Sequence, residues 1–295
     1  MDFRLTEDQR ALRRGVRELL AGLFGRQALR AAVDAPSLDR DLWRELGAAG
    51  FFALRLPEDE GGVGLGLPEA ALVFEEAGRV LLPGPLVATH LAAGTVPGAA
   101  DGTVVVTSVE EGLVPWLDEA DVVLGDATGA VPVRSVDPLT PLHRVPGTEG
   151  AAGAAGAALR TAAEAALLTA AEQVGSAAAS TEAAVSHART RTQFGQVIGG
   201  FQAVKHLCAG MLVRVELARA AVWAAAVTGD PVEIAGAKLL ADEAAVLGAR
   251  DCLQVHGGMG FTWEADVHLH LKRAWVRAEL RLPAARAEET VAAGL

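Results

Sequence analysis

Apolar positions at helical spacing dominate the first third of the 295-residue chain. Thr6-Glu7-Asp8-Gln9 is a capping-box sequence, in which a threonine hydroxyl and a glutamine side chain satisfy free backbone amides, and it predicts a helix of about four turns. Amphipathic stretches follow from Leu38 to Leu46 and from Ala70 to Leu81. The first is closed by glycines at Gly47 and Gly50, and the second has Pro68 at a first helical position. Pro83-Gly84-Pro85 then ends this helical part.

The pattern changes to short β-type runs from about Ala92 to Thr148. Three segments, Thr103 to Thr107, Val122 to Leu124 and Val131 to Val133, are rich in β-branched residues and are separated by Gly, Asp and Pro, which predicts a small β region. Glu149 to Ala158 alternates glycine with alanine. Such a segment is equally consistent with a low-complexity joint and with a glycine-weakened helix start.

The remainder of the chain is helical and rich in alanine. A first helix is predicted from about Leu159 to Ala188, and breaks follow at Gly195 to Gly200, at Gly229-Asp230-Pro231 and at Gly257-Gly258. Asp230 and Pro231 form an N-cap and first-turn pair, so one long helix is predicted from there to His256, where glycines end it. Small residues on that helix would permit close packing against its neighbours; they are Ala237, Ala241, Ala245 and Gly248.

Composition and charge exclude several classes of protein. With 51% hydrophobic residues the chain can bury an ample core in one large domain or two ordinary ones. The net charge of −11 argues against nucleic-acid or anionic-membrane partners, because either would require a basic patch. No long uncharged apolar run occurs, and Met1-Asp2-Phe3-Arg4 does not open a signal peptide, so a cytoplasmic location is predicted. Cys208 and Cys252 are predicted to be buried thiols rather than a disulfide.

Two further motifs do not predict sites. Gly62, Gly64 and Gly66 lack the Gly-x-Gly-x-x-Gly spacing of a dinucleotide-binding turn, and no βαβ pattern surrounds them. His268 and His270 would point in different directions on a helix, and no cysteine or carboxylate cluster completes a metal site there. We therefore predict no metal.

Five motifs carry a resemblance to a known family. The sequences Arg191-Thr192-Gln193-Phe194-Gly195, Phe201-Gln202 and Gln254-Val255-His256-Gly257-Gly258 resemble the C-terminal helical domain of acyl-CoA dehydrogenases, the flavoenzymes that desaturate acyl-CoA thioesters between the α and β carbons. Leu56-Pro57-Glu58 and Glu75-Glu76-Ala77-Gly78-Arg79 resemble that family's first domain. The resemblance implies a mainly α fold with a small β domain: an N-terminal helical domain at 1–91, a reduced middle β domain at 92–150, and a C-terminal four-helix bundle at 151–295 that mediates oligomerisation.

The resemblance implies FAD as the cofactor. The arginine of the Arg-x-x-Phe-Gly motif, here Arg191, binds the FAD pyrophosphate, usually of a neighbouring subunit, and the planar guanidinium suits paired phosphate oxygens. Gln193 and Phe194 belong to the same contact. Four positions are assigned to the adenosine half: Gln202, Gln254, Gly257 and Gly258. Taken alone, Arg191 would be an exposed residue that compensates a helix dipole, and Gly257-Gly258 a plain helix end.

The catalytic base is missing from its usual positions. Dehydrogenation requires a carboxylate that removes the α proton. In the family this is a glutamate followed by Gly-Thr, and counting from Lys272-Arg273-Ala274 the position falls at Arg281. The alternative position of some members falls at Ala165. The nearby Glu279 and Glu164 are weak candidates, because Glu164 is turned by roughly 100° from the required direction on a helix.

The middle region also departs from the family. Full-length members carry a Thr-Glu-x-x-x-Gly-Ser-Asp loop and a Trp-x-Thr strand over the flavin, whereas this chain has only Thr107 to Glu111 and Val114-Pro115-Trp116. The segments Phe261-Thr262-Trp263-Glu264 and Leu271-Lys272-Arg273-Ala274 resemble a subgroup for steroid side-chain and other bulky acyl-CoAs, in which two unlike subunits form an α2β2 assembly and share each FAD.

The resemblance therefore predicts a subunit of an FAD-dependent acyl-CoA dehydrogenase whose related partner supplies the glutamate, with acyl-CoA as substrate and electron-transfer flavoprotein as the implied electron acceptor. Two alternatives stay open. One is a non-catalytic structural or interaction protein of the same fold that has lost FAD. The other is a self-sufficient homo-oligomeric dehydrogenase whose base is Glu279 or Glu164.

Overall fold

The computed structural model describes residues 4–147 and 157–294. Of the predicted joint at 149–158, residues 149–156 lie outside the described residues. Met1 to Phe3 also lie outside them. Five helices form the N-terminal part: α1 (Glu7–Leu23), α2 (Arg26–Asp34), α3 (Arg40–Ala48), α4 (Leu67–Arg79) and α5 (Leu86–Ala92). The capping box of α1 is confirmed, because the Thr6 and Gln9 side chains each accept the other's backbone amide, at 3.2 and 2.9 Å.

Two details of the N-terminal helices differ from prediction. Helix α4 begins at Leu67, so Pro68 takes its second position rather than its first. Helix α5 was not predicted at all, because most of its seven residues are buried and the segment therefore shows no alternation of apolar and polar faces. The core beneath these helices contains Trp43, Phe52 and Phe74; the Trp43 and Phe52 ring centroids are 4.7 Å apart.

Five short strands form the middle part: β1 (Val106–Ser108), β2 (Leu113–Pro115), β3 (Val122–Leu124), β4 (Val131–Val133) and β5 (Leu142–Arg144). Strands β1 and β3 pair in parallel, while β2, β5 and β4 form an antiparallel sheet in that order. The predictions for β3 and β4 are confirmed. The run at Thr103 becomes a strand only from Val106, because the Thr103 amide and hydroxyl both bond Asp101 in a turn.

The C-terminal part is a helix bundle. It contains α6 (Ala157–Thr190), a hairpin of β6 (Thr192–Gln193) and β7 (Gln196–Val197), α7 (Gln202–Thr228), α8 (Pro231–His256), α9 (Val267–Glu279) and α10 (Ala284–Ala293). Asp230 caps α8 through the amides of Val232 and Glu233, and Gly257 ends the helix, as predicted. Helix α8 packs against α6, α7, α9 and α10, and the four small residues singled out in the sequence are all buried.

Helix α4 crosses α6 at two glycines that leave no room for a side chain. A Cβ added to Gly175 would lie 1.9 Å from the Glu75 carbonyl oxygen, and one added to Gly78 would lie 2.0 Å from that of Glu172. Both obstacles are backbone atoms, so a rotamer change cannot relieve the clash. The crossing joins the N-terminal helices to the bundle.

We expect Gly175→Ala to lower the free energy of unfolding by at least about 3 kcal/mol, because the two helices must move apart. Gly15→Ala is the matched control: Gly15 is exposed in α1, and an added Cβ there meets nothing within 4 Å. The control should raise stability by about 1 kcal/mol through the better helix propensity of alanine. Urea unfolding followed by circular dichroism measures both. Equal stabilities for the two variants would contradict the close crossing.

The remaining predictions for this part concern cysteines and histidines. Cys252 is buried, and burial raises the pKa of its thiol to about 12, whereas Cys208 is only half-buried; both are unpaired. His268 packs edge-on against Trp263, while His270 Nδ1 lies 2.8 Å from the Ser176 hydroxyl, so the two rings do have different partners. Among the described residues, no group of three or more His, Cys, Asp or Glu side chains is placed to hold a metal ion.

Candidate functional site

The seven residues assigned to FAD from the sequence lie at one end of the bundle. Arg191 follows the last residue of α6, Gln202 is the first of α7, and Gln254 lies in the last turn of α8. Because α6, α7 and α8 run alternately up and down, these termini share one end. All seven side chains or glycine backbones are exposed. We call this set the FAD edge; its members are Arg191, Gln193, Phe194, Gln202, Gln254, Gly257 and Gly258.

The β6–β7 hairpin holds Phe194 in an unfavourable backbone conformation. Phe194 and Gly195 form its two-residue turn with φ of +51° and +80°. Glycine adopts such angles readily, but a phenylalanine rarely does. The Phe194 side chain is also 91% exposed, and its centroid lies 6.1 Å from that of Phe201. A strained and exposed aromatic residue adds little to this chain's own core, which suits a contact with a cofactor or another subunit.

The backbone is exposed at the end of α8, where two glycines follow the helix. Gly257 has φ +61° and ψ −146°, a region that essentially only glycine adopts. Gly258 has no such constraint, and a Cβ added to either residue would meet nothing within 4 Å. Both therefore face open space where a nucleotide could approach closely. The side chains of the FAD edge fit that group, since they supply one guanidinium, three carboxamides and an exposed aromatic ring.

A histidine pair that the sequence did not predict lies beside the FAD edge. The rings of His187 on α6 and His256 on α8 stack with centroids 4.1 Å apart. Nearby, Phe261 and Trp263 are also exposed, by 72% and 60%. Lys272 Nζ lies 3.9 Å from the Trp263 ring centroid. No sequence motif marks the histidine pair, because its members are 69 positions apart in the chain.

Neither of the two positions that the resemblance predicts for the catalytic base carries a carboxylate. Arg281 is buried and has a φ of +50°. It forms an ion pair with Glu110, in which Arg281 Nε lies 3.2 Å from Glu110 Oε1. Ala165 is buried and carries no charge. Of the weak candidates, Glu164 is held by Arg55 through contacts of 2.8 and 3.3 Å, while Glu279 is exposed at the end of α9.

Arg281 is the last of three arginines at four-residue spacing, each paired with a carboxylate. Arg273 pairs with Asp137, and Arg277 Nη2 lies 2.7 Å from Glu172 Oε1. We call these three pairs the arginine ladder. Burial lowers the pKa of Arg277 to about 10 and Glu172 opposes that shift, so the guanidinium stays charged at neutral pH.

Beside the ladder, Lys238 on α8 pairs with Asp242, and the Lys238 ammonium also donates to the Arg277 carbonyl at 3.2 Å. Burial lowers the pKa of Lys238 and raises that of Asp242. The positive charges at this end of α9 are therefore compensated within the chain by carboxylates.

Comparison with known proteins identifies the family of this chain. Models of the acyl-CoA dehydrogenase N-terminal and C-terminal domains match residues 6–104 and 154–280. Acyl-CoA dehydrogenase IpdE2 of Mycobacterium tuberculosis is 37% identical over 93% of each chain. The ChsE4-ChsE5 complex from Mycobacterium tuberculosis has a similar fold, with a TM-score of 0.86, 23% identity and coverage of 99% of this chain and 98% of that one. The Tcur3481-Tcur3483 steroid ACAD also has a similar fold, with a TM-score of 0.82 and 25% identity over 97% of each chain.

The fold, a helical N-terminal part, a small β region and a helix bundle, is that of a flavoprotein dehydrogenase. The chain belongs to the acyl-CoA dehydrogenase family. The predicted fold class is thereby confirmed, and family membership indicates FAD as the cofactor and oxidation of acyl-CoA as the chemistry. In the described part of the chain, no helix has both the length and the apolar character that crossing a membrane requires.

The Arg281 pair gives a testable prediction. Arg281→Glu would place two carboxylates side by side in a buried site, so we expect the free energy of unfolding to fall by about 3–5 kcal/mol. The matched control is Arg44→Glu in the exposed Arg44–Asp41 pair, where the change should stay within about 1 kcal/mol. Adding Glu110→Arg to Arg281→Glu should recover part of the loss. No recovery in the charge-swapped double variant would show that Glu110 is not the relevant partner.

Proposed function

We propose that this chain is one subunit of a heteromeric FAD-dependent acyl-CoA dehydrogenase. It contributes the FAD edge, while a related partner subunit supplies the glutamate that removes the α proton. The observation that carries the proposal is the buried Arg281–Glu110 pair at the usual position of the base. A guanidinium cannot act as a general base there, because it stays protonated at any working pH.

The alternative base position supports the same conclusion. Ala165 has no ionisable group, and Glu164 beside it is already the partner of Arg55. To remove a proton, Glu164 would have to leave that guanidinium and turn toward the substrate. The self-sufficient dehydrogenase is therefore the weaker alternative, and Glu279 would have to act from an exposed site at the end of α9.

The mechanism assigns binding roles to this chain. FAD, when bound, accepts the hydride that leaves the β carbon. Arg191 would neutralise pyrophosphate charge with paired donors. The carboxamides of Gln193, Gln202 and Gln254 would bond polar groups of the nucleotide, and the bare backbone at Gly257 and Gly258 would let it approach. Phe194 would cover part of the cofactor and exclude water. The proton at the α carbon would pass to the partner's carboxylate, outside this chain.

The comparisons supply the partner and substrate classes of the proposal. One structural relative is named as a complex of two different proteins, and another as a steroid ACAD. A related dehydrogenase subunit and a steroid or similarly bulky acyl-CoA are the corresponding partner and substrate here. We further propose electron-transfer flavoprotein as electron acceptor, a cytoplasmic location, and domain boundaries at 1–91, 92–150 and 151–295.

The second candidate function is a non-catalytic interaction protein without FAD. Its support is the loss of the base together with the short middle β region. The exposed Phe194 and the open space around Gly258 favour the FAD-binding proposal over it, because both are accessible to a cofactor. Flavin content separates the two: we expect little FAD on the chain purified alone, and about stoichiometric FAD on the complex with its co-expressed partner.

Arg191→Ala tests the FAD edge. We expect FAD affinity in the assembled complex to fall by about 1.5–3 kcal/mol, the usual scale of a lost charge-assisted contact, with unchanged thermal unfolding. Arg189→Ala is the matched control, because Arg189 is an exposed arginine in the last turn of the same helix. Its affinity should stay within about threefold of the parent. If Arg191→Ala also stays within that limit, Arg191 serves only the helix dipole.

The location of the base is tested by carboxylate variants. Glu164→Gln and Glu279→Gln in this chain should leave turnover of the complex within a few-fold, whereas removal of the partner's glutamate should lower it about 10²- to 10⁴-fold. Flavin reduction by acyl-CoA under anaerobic conditions measures the step directly. If either variant in this chain abolishes reduction while FAD stays bound, this chain carries its own base and the proposal is wrong.

A further inference from the structure

The stacked histidines connect the two helices that carry most of the FAD edge. His187 lies one turn before Arg191, whose backbone N–H donates to the His187 carbonyl at 2.9 Å. His256 is the last residue of α8 and directly precedes Gly257. The ring planes are 22° apart and the centroids 4.1 Å apart, so the rings are in face-to-face contact. The contact therefore bridges the Arg191 end of α6 and the glycine end of α8.

The His256 ring is held by the backbone of its own helix. His256 Nδ1 lies 2.8 Å from the Cys252 carbonyl oxygen. A carbonyl only accepts, so Nδ1 carries the hydrogen and donates it. Burial lowers the pKa of His187, and the nearby His256 and Arg191 lower it further. A proton on His187 would add a positive charge beside Arg191.

An apolar cluster lies between the helices that carry the pair. A small core cluster of Ala184, Ala188, Met211, Cys252 and Val255 packs between α6, α7 and α8 near this end. Burial raises the pKa of both Cys252 and Cys208, so these thiols carry no charge at neutral pH. Asp251, which adds to the shift of Cys208, is paired with Arg214.

We propose that His187 and His256 are positioning residues for FAD binding. The stack of their two rings fixes the position of Arg191 relative to Gly257. This inference rests on the proposed function, because it takes Arg191 as a ligand of the pyrophosphate. A misplaced guanidinium would lose the second of its two parallel hydrogen bonds, since bidentate contacts require one geometry. His187 itself need not touch the cofactor.

The test is a double-variant cycle on FAD affinity, measured by flavin fluorescence with the purified complex. We expect His187→Ala to weaken binding about 5- to 20-fold and Arg191→Ala about 10- to 150-fold. Because His187 acts through Arg191, the double variant should bind no more weakly than Arg191→Ala alone. The inference would be overturned if the loss of FAD affinity in the double variant equalled the product of the two single losses. It would also be overturned if His187→Ala left FAD affinity unchanged.

Two further variants separate ring stacking from simple packing. His187→Phe keeps an aromatic face and should retain affinity within about threefold, while His187→Leu fills similar space without a ring and should behave like His187→Ala. Equal affinities for Phe and Leu variants would overturn the stacking role even if His187→Ala failed to assemble. Failure of the proposed function has a different signature: Arg191→Ala alone would then leave FAD affinity unchanged.

Discussion

The arginine ladder is the interaction on which the arrangement of this molecule depends. Arg273 pairs with Asp137 and also donates to the carbonyls of Leu82 and Leu139, each at 3.2 Å. One side chain thus joins the N-terminal helices, the middle region and the bundle. A buried guanidinium loses its hydration, and partners such as those of Arg273 offset that cost. The three segments must therefore meet in one relative position, which also fixes the end of α9 and hence Arg281.

The two functional regions of the molecule differ in how their polar groups are used. At the ladder, each arginine is paired with a carboxylate inside the chain, and Arg281, the position that the resemblance predicts for the family's base, belongs to that set. At the FAD edge the polar groups are exposed, and so are the Phe194 ring and the Gly258 backbone. This contrast is the physical basis for proposing that the chain binds cofactor while a partner performs proton abstraction.

Local signals in the sequence predicted much of the fold. The Thr6 capping box, the Asp230–Pro231 start of α8 and its end at His256 involve neighbouring residues, so the sequence contains the whole interaction. Helix α5 was not predicted, because burial of most of its residues removes the alternation of apolar and polar positions. The ladder was visible only in part: the four-residue spacing of its arginines is in the sequence, but Glu110, Asp137 and Glu172 come from distant segments. The His187–His256 stack depends on tertiary contact alone, which no local pattern encodes.

The central claim is that the flavin site is shared, with the Arg191 edge from this chain and the base from its partner. A crystal structure of the co-purified complex with FAD and a substrate analogue tests it most directly. We expect the Arg191 guanidinium within hydrogen-bond distance of the FAD pyrophosphate, and a partner glutamate next to the α carbon of the analogue. A homo-oligomer that binds FAD and the analogue, with Glu164 or Glu279 of this chain at the α carbon, would contradict it.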